Sequence, residues 1–234
     1  MVNLKIKIIK SGPYLVTGNV PLSKIEFVID ENNSPICFGK KERIETSETY
    51  SLCRCGHSNN KPFCDGNHGK IGFKGEEIAS KNLADLKNND IETDKVKLID
   101  RTIFCDHSRF CLREGGIRKL IDDGTEESIE IAIEEAKNCP SGRLTLINKE
   151  NNESSESEYE REIIMIYDSG EKVQGPIWVR GGIEIESSNG DNYDIRNRIT
   201  LCQCGKSENK PFCNGSHWVS QERQAKFRKK WGLD

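Results

Sequence analysis

Cys53-Arg-Cys-Gly-His-Ser-Asn-Asn-Lys-Pro-Phe-Cys-Asp-Gly-Asn-His68 and Cys202-Gln-Cys-Gly-Lys-Ser-Glu-Asn-Lys-Pro-Phe-Cys-Asn-Gly-Ser-His217 decide how this chain is read. Both follow C-x-C-x8-C-x3-H, and they share Ser58/Ser207, Pro62/Pro211 and Gly66/Gly215 at matching positions. A second echo precedes each. Gly12-Pro-Tyr-Leu-Val-Thr-Gly18 answers Gly175-Pro-Ile-Trp-Val-Arg-Gly181, and each continues into an alternating, β-branched run that reads as a strand hairpin. From Gly12 to Cys53 is 41 residues, whereas from Gly175 to Cys202 is 27. The first copy therefore carries an insertion, in which Cys37 falls.

Around these repeats the chain is polar. Of its 234 residues 34% are hydrophobic and 31% charged, and 35 basic against 38 acidic side chains leave a net charge of -3. No basic field argues for nucleic acid. The start, MVNLKIKIIKSG, breaks its apolar run with lysines, unlike a secretory leader. No stretch approaches the roughly 18 apolar residues of a membrane span. A cytoplasmic location is expected, where thiols stay reduced and ten cysteines point to metal ligands before disulfides.

Three thiolates and an imidazole suit either zinc or an iron–sulfur cluster. Zinc sites commonly pair cysteines with two to four intervening residues, which lets a loop wrap one ion. Here one residue separates Cys53 from Cys55, and Cys64 with His68 forms a distant second pair. That spacing favours two metals, with the C-x-C pair on one and the Cys-x3-His pair on the other. Zinc in a structural or interaction protein is the alternative.

The runs Lys61-Pro-Phe-Cys-Asp-Gly-Asn-His68 and Lys210-Pro-Phe-Cys-Asn-Gly-Ser-His217 resemble the CDGSH signature of the NEET iron–sulfur family. The resemblance implies one [2Fe–2S] cluster on Cys53, Cys55, Cys64 and His68, and another on Cys202, Cys204, Cys213 and His217. Members of that family pair two such sites across a homodimer. This chain resembles both halves in one polypeptide, so a monomer with an internal pseudo-dimer is expected. Asn67 stands where the family has a small serine, and Asn214 where it has an aspartate, so the two sites need not share a potential. Imidazole in place of thiolate removes a negative charge and raises the potential. A histidine that takes a proton near pH ~6.5 no longer ligates, so acid should loosen the cluster. Ser58, Ser207 and loop N–H groups are expected to hydrogen-bond the sulfurs.

Between the copies lies a different module. Cys105-Asp-His-Ser-Arg-Phe-Cys111 is followed by Cys139-Pro-Ser-Gly142, and residues 101–148 resemble the divergent single-cluster ferredoxin family. Ser108 takes the place of the middle cysteine. Cys105, Cys111 and Cys139 suit a [3Fe–4S] cluster, or a [4Fe–4S] cluster with His107, Ser108 or an outside ligand on the fourth iron. The other reading is a remnant with buried cysteines. Glu126 to Asn138 places Ile129, Ala132, Ile133 and Ala136 on one helical face, ended by Pro140, and residues 143–147 read as a strand. Residues 149–158 read as a solvated acidic loop.

The expected fold is α+β and β-rich: a first CDGSH module over 1–91, a ferredoxin-like module over 92–148 and a second CDGSH module over 149–234. No nucleophile triad, P-loop or dinucleotide fingerprint is present. The expected role is electron transfer, redox sensing or cluster transfer with a redox or cluster-acceptor protein, and no membrane or nucleic-acid partner. A redox enzyme working at an open iron near Ser108 is a third reading. Cys37 reads as a buried structural thiol and His57 as solvent-facing. Trp178 and Trp218 read as packing residues, and the basic tail from Gln221 to Trp231 as a solvated face or a dock for an acidic partner.

Overall fold

A computed structural model of the chain describes residues 4–217. Trp218 and the basic tail lie outside the described residues. The first repeat forms β1 (Lys5–Ile8), β2 (Tyr14–Thr17), β3 (Leu22–Ile29), β4 (Pro35–Phe38), β5 (Glu42–Ile44) and β6 (Tyr50–Leu52), followed by the short helix α1 (Asn67–Lys70). The middle segment forms β7 (Ile91–Glu92), β8 (Val96–Asp100), α2 (Ile117–Asp123), α3 (Glu126–Lys137) and β9 (Leu144–Asn148). The second repeat forms β10 (Glu162–Asp168), β11 (Val173–Arg180), β12 (Glu184–Glu186) and β13 (Arg198–Leu201). The molecule is thus α+β and β-rich.

The two repeats exchange strands. One sheet runs β12-β1-β2-β6, and the other runs β13-β11-β10-β3-β4 with β5 also paired to β3. Each repeat keeps its first two strands as an antiparallel hairpin, β1 with β2 and β10 with β11. Its third strand then crosses to lie parallel to the other repeat's first. Leu22 pairs with Ile163, and Ile6 with Ile185. Alternation sets which faces turn inward. On β3, Ser23, Ile25 and Phe27 are buried while Lys24, Glu26 and Val28 are exposed, and Leu22 at the strand's start is buried on the opposite face. One core then draws Ile6, Tyr14 and Leu22 from the first repeat and Ile163, Ile177 and Ile199 from the second, and another joins Ile25 and Phe27 to Ile164, Ile166 and Trp178. Each such side chain contributes about 1.5–3 kcal/mol by leaving water, and neither repeat can bury its own share alone.

The middle segment has its own core. The sheet β7-β8-β9 is covered by α2 and α3, with Leu98, Leu120, Ile121, Ala132, Ala136 and Leu146 inside. Thr125 caps α3 by accepting from the Ser128 N–H at 3.1 Å. The buried stripe of α3 is Ser128, Ala132, Glu135 and Ala136, with Ile129 and Ile133 only partly buried beside it, so the buried face is turned from the expected one. The acidic segment is solvated only in its first part. Ser155 donates its N–H to Leu146 O at 2.8 Å and is buried, and Glu156 meets Arg198 at 2.7 Å. The insertion of the first repeat is β4 and β5. Cys37 sits on β4 opposite Val28, half-buried where a buried thiol was expected, because β4 is the outer strand of its sheet. Among the described residues no helix is long and apolar enough to cross a membrane.

Candidate metal centres

The two ligand loops leave β6 and β13 and share the same framing backbone bonds. The Cys53 and Cys202 N–H groups donate to Pro62 O and Pro211 O, both at 2.8 Å. The Cys64 and Cys213 N–H groups donate to Ser51 O and Thr200 O, both at 2.9 Å. The peptide bonds before Pro62 and Pro211 are both cis. The residue inside each C-x-C pair ties the loop to the glycine of its own Gly-Pro pair. Arg54 Nε donates to Gly12 O at 2.8 Å, and Gln203 Nε2 donates to Gly175 O. The echo in the sequence is therefore one contact made twice. At the pseudo-twofold the loops meet back to back, with Cys55 and Cys204 paired in an antiparallel bridge. A Cβ on Gly56 would lie 2.5 Å from Cys204 O, and one on Gly205 2.7 Å from Cys55 O, so only glycine permits this approach.

The candidate donors of each loop gather as two pairs. Cys53 and Cys55 sulfurs are 3.9 Å apart, and Cys64 Sγ is 3.3 Å from His68 Nδ1. In the second loop, Cys202 and Cys204 sulfurs are 3.7 Å apart, with Cys213 Sγ 3.5 Å from His217 Nδ1. Among the described residues no three such groups converge as a cage for one ion. Backbone N–H groups point at the sulfurs: His57 to Cys55 and Gly66 to Cys64 at 3.5 Å, Gly215 to Cys213 at 3.4 Å. Such donors stabilise thiolates, so the donor set and its surroundings fit an iron–sulfur cluster. The serines do otherwise than expected. Ser58 Oγ and Ser207 Oγ donate to Phe63 O and Phe212 O at 2.6 Å and accept from Asn60 and Asn209 N–H, so they brace the loops and leave the sulfurs to the backbone.

Electrostatics separate the two sites. The Cys202 thiol is held at about 6 by its hydrogen bond with Cys204 and by loop N–H groups, against the effect of burial, while Cys204 is raised in turn. Desolvation, with His107 and Arg109 nearby, lowers His217 to about 3, so it stays neutral and able to ligate. His57 is exposed, as its replacement by Lys206 in the second copy anticipated.

The middle segment brings its three cysteines together. Cys105, Cys111 and Cys139 line one cavity of about 20 Å³ with Ser108. Ser108 and Asp106 are buried beside them, and the Ser108 N–H donates to Asp106 Oδ1 at 3.1 Å. Three thiols gathered at one place are a donor set that fits an iron–sulfur cluster. Arg143 serves the same place. It donates twice to Asp100, at 2.6 and 2.9 Å, and once to Cys105 Sγ at 3.1 Å. Burial raises the Cys105 thiol, and the Arg143 charge opposes that rise. No sequence motif marks Arg143 or Arg198. Arg198 lies on β13 and donates to Lys137 O at 2.6 Å and Cys139 O at 2.8 Å, so the second repeat holds the turn that carries Cys139.

Comparison with protein families bears directly on these loops. The model described as iron-binding zinc finger CDGSH type matches residues 11–69 and again 174–218, and that described as divergent 4Fe-4S mono-cluster matches residues 91–149. This chain is an iron–sulfur protein with two CDGSH modules around a divergent 4Fe-4S module. Neither the curated proteins nor the solved structures compared with it gave a match. Both CDGSH matches include the C-x-C and C-x3-H pairs, and the middle match includes Cys105, Cys111 and Cys139.

Proposed function

We propose that the protein is an electron-transfer or cluster-relay protein holding two [2Fe–2S] clusters and a third cluster in the middle segment. Cys53, Cys55, Cys64 and His68 hold the first, and Cys202, Cys204, Cys213 and His217 the second. Cys105, Cys111 and Cys139 hold a [3Fe–4S] or a [4Fe–4S] cluster. What supports this is the two-by-two grouping of donors in loops that share the same framing backbone bonds, each with N–H groups on its sulfurs. Bound there, clusters supply one-electron storage. The chain's own residues set the conditions: imidazole in place of thiolate raises the potential, and the loop N–H groups raise it further. Arg143 adds a positive charge beside the middle site. The partner is a redox or cluster-acceptor protein, met in the cytoplasm.

The test is to replace His68 or His217 by cysteine. Each variant should keep its colour and lower the potential of its own site, because thiolate adds charge, and His68→Cys should also resist acid better, because thiolate has no imidazolium form. Unchanged potential and acid lability in both variants would show that neither histidine is a ligand.

A further inference from the structure

The two CDGSH sites have the same donors but different surroundings, and one loop of the middle segment makes the difference. Gly66 and Gly215 occupy the same place in their loops, with φ of 84° and 82°. A Cβ on Gly66 would meet nothing within 4 Å, whereas one on Gly215 would lie 2.6 Å from the His107 ring. Asn60 is exposed, while its counterpart Asn209 is buried and donates to Ile103 O at 3.1 Å. Phe212 has Phe104 against its edge at 5.3 Å. Cys213 is 2% exposed, whereas Cys64 is only half-buried. Every one of these contacts comes from the segment 103–107, and all of them fall on the second ligand loop.

That segment is fixed at its far end. Arg109 grips both oxygens of Asp168 at 2.6 and 2.7 Å and Glu171 at 2.8 Å, and Phe110 packs between Phe27 and Phe38. His107 has φ of 62°, and its ring lies against Gly215. The loop that carries Cys105 and Cys111 thus faces the middle cavity with its cysteines and the second CDGSH site with His107.

We propose that this loop seals the Cys213 side of the second CDGSH site, where Cys204 and His217 stay half-buried, so that the first, with Cys64 half-buried and Gly66 open, is the site that exchanges with an external partner while the second stays within the molecule. The division of labour rests on the iron–sulfur reading above. It gives the fused middle segment a second task, closing a site that the same motif leaves open in the first repeat.

Release of iron to an excess of a colorimetric ferrous chelator under a mild reductant reads this directly. Single-site proteins, Cys64→Ala with His68→Ala or Cys213→Ala with His217→Ala, assign the phases. The full chain should lose its two paired clusters in separate phases, the first site at least about tenfold faster, a protection of about 1.4 kcal/mol at the second. His107→Gly suits the positive φ and removes the ring. Arg109→Gln loosens the anchor without touching a candidate ligand. Both should speed the slow phase toward the fast one and leave the fast phase unchanged, and Arg109→Gln should also leave total iron unchanged. Equal rates at the two sites, or a slow phase indifferent to both variants, would overturn the seal while leaving the clusters in place. Protein without visible colour or iron would instead sink the reading on which it rests.

Discussion

Glu135 lies at 0% exposure on the buried side of α3. Burial pushes its carboxyl up to about 8, although Arg113 pulls the other way. An unfolded glutamate titrates near ~4.3. Between those values the folded chain keeps a proton that the unfolded chain releases, so stability falls as pH rises through that window. Glu135→Gln should remove the slope. The expected gain is a few kcal/mol, roughly, at pH 8 and almost none near pH 4, read from denaturant unfolding at both. A gain independent of pH would show that the carboxyl is not protonated in the fold. This residue was hidden in the sequence because a glutamate beside Glu134 reads as solvated, while its alanine neighbours Ala132 and Ala136 were legible as core. The ligand positions were legible for the opposite reason. Cysteine and histidine at fixed spacing, written twice, leave few other readings, whereas the roles of Ser58 and Ser207 depend on which carbonyl comes within reach when the loop closes.

The repeated elements could be read from alternation and from the Gly-Pro pairs, and α3 from its period and the Pro140 that ends it. What joins the elements could not. Arg198 reaches from β13 to the carbonyls of Lys137, Cys139 and Leu144 and to Glu156, partners between 42 and 61 positions away along the chain. Backbone carbonyls carry no side-chain signature, so such a clamp has no motif. Arg198→Ala should cost about 3 kcal/mol, because it leaves the carbonyls and Glu156 without their partner in a buried place. Arg198→Lys should recover only part, since one ammonium cannot replace a planar fork. Denaturant midpoints check both. If alanine and lysine variants match the native protein, the clamp does not hold the Cys139 turn.

The molecule as a whole is tied together by strand exchange. An internal pair was expected from the repeat, but a parallel match of Ile6 with Ile185 has no local signal to announce it. Because β3 completes the sheet of the second repeat and β12 that of the first, a fragment ending near residue 90 should not survive as a monomer. It should aggregate or dimerise through the apolar face it exposes. A well-behaved monomeric fragment with its cluster, seen by size exclusion and absorbance, would count against the exchange. The central claim is that these loops hold iron and sulfide. Anaerobically purified full-length protein should be coloured and contain about 7 irons per chain with a [3Fe–4S] middle cluster or about 8 with [4Fe–4S], falling to about 4 if only the paired sites are filled. Colourless protein with zinc in place of iron at the paired sites would contradict the account.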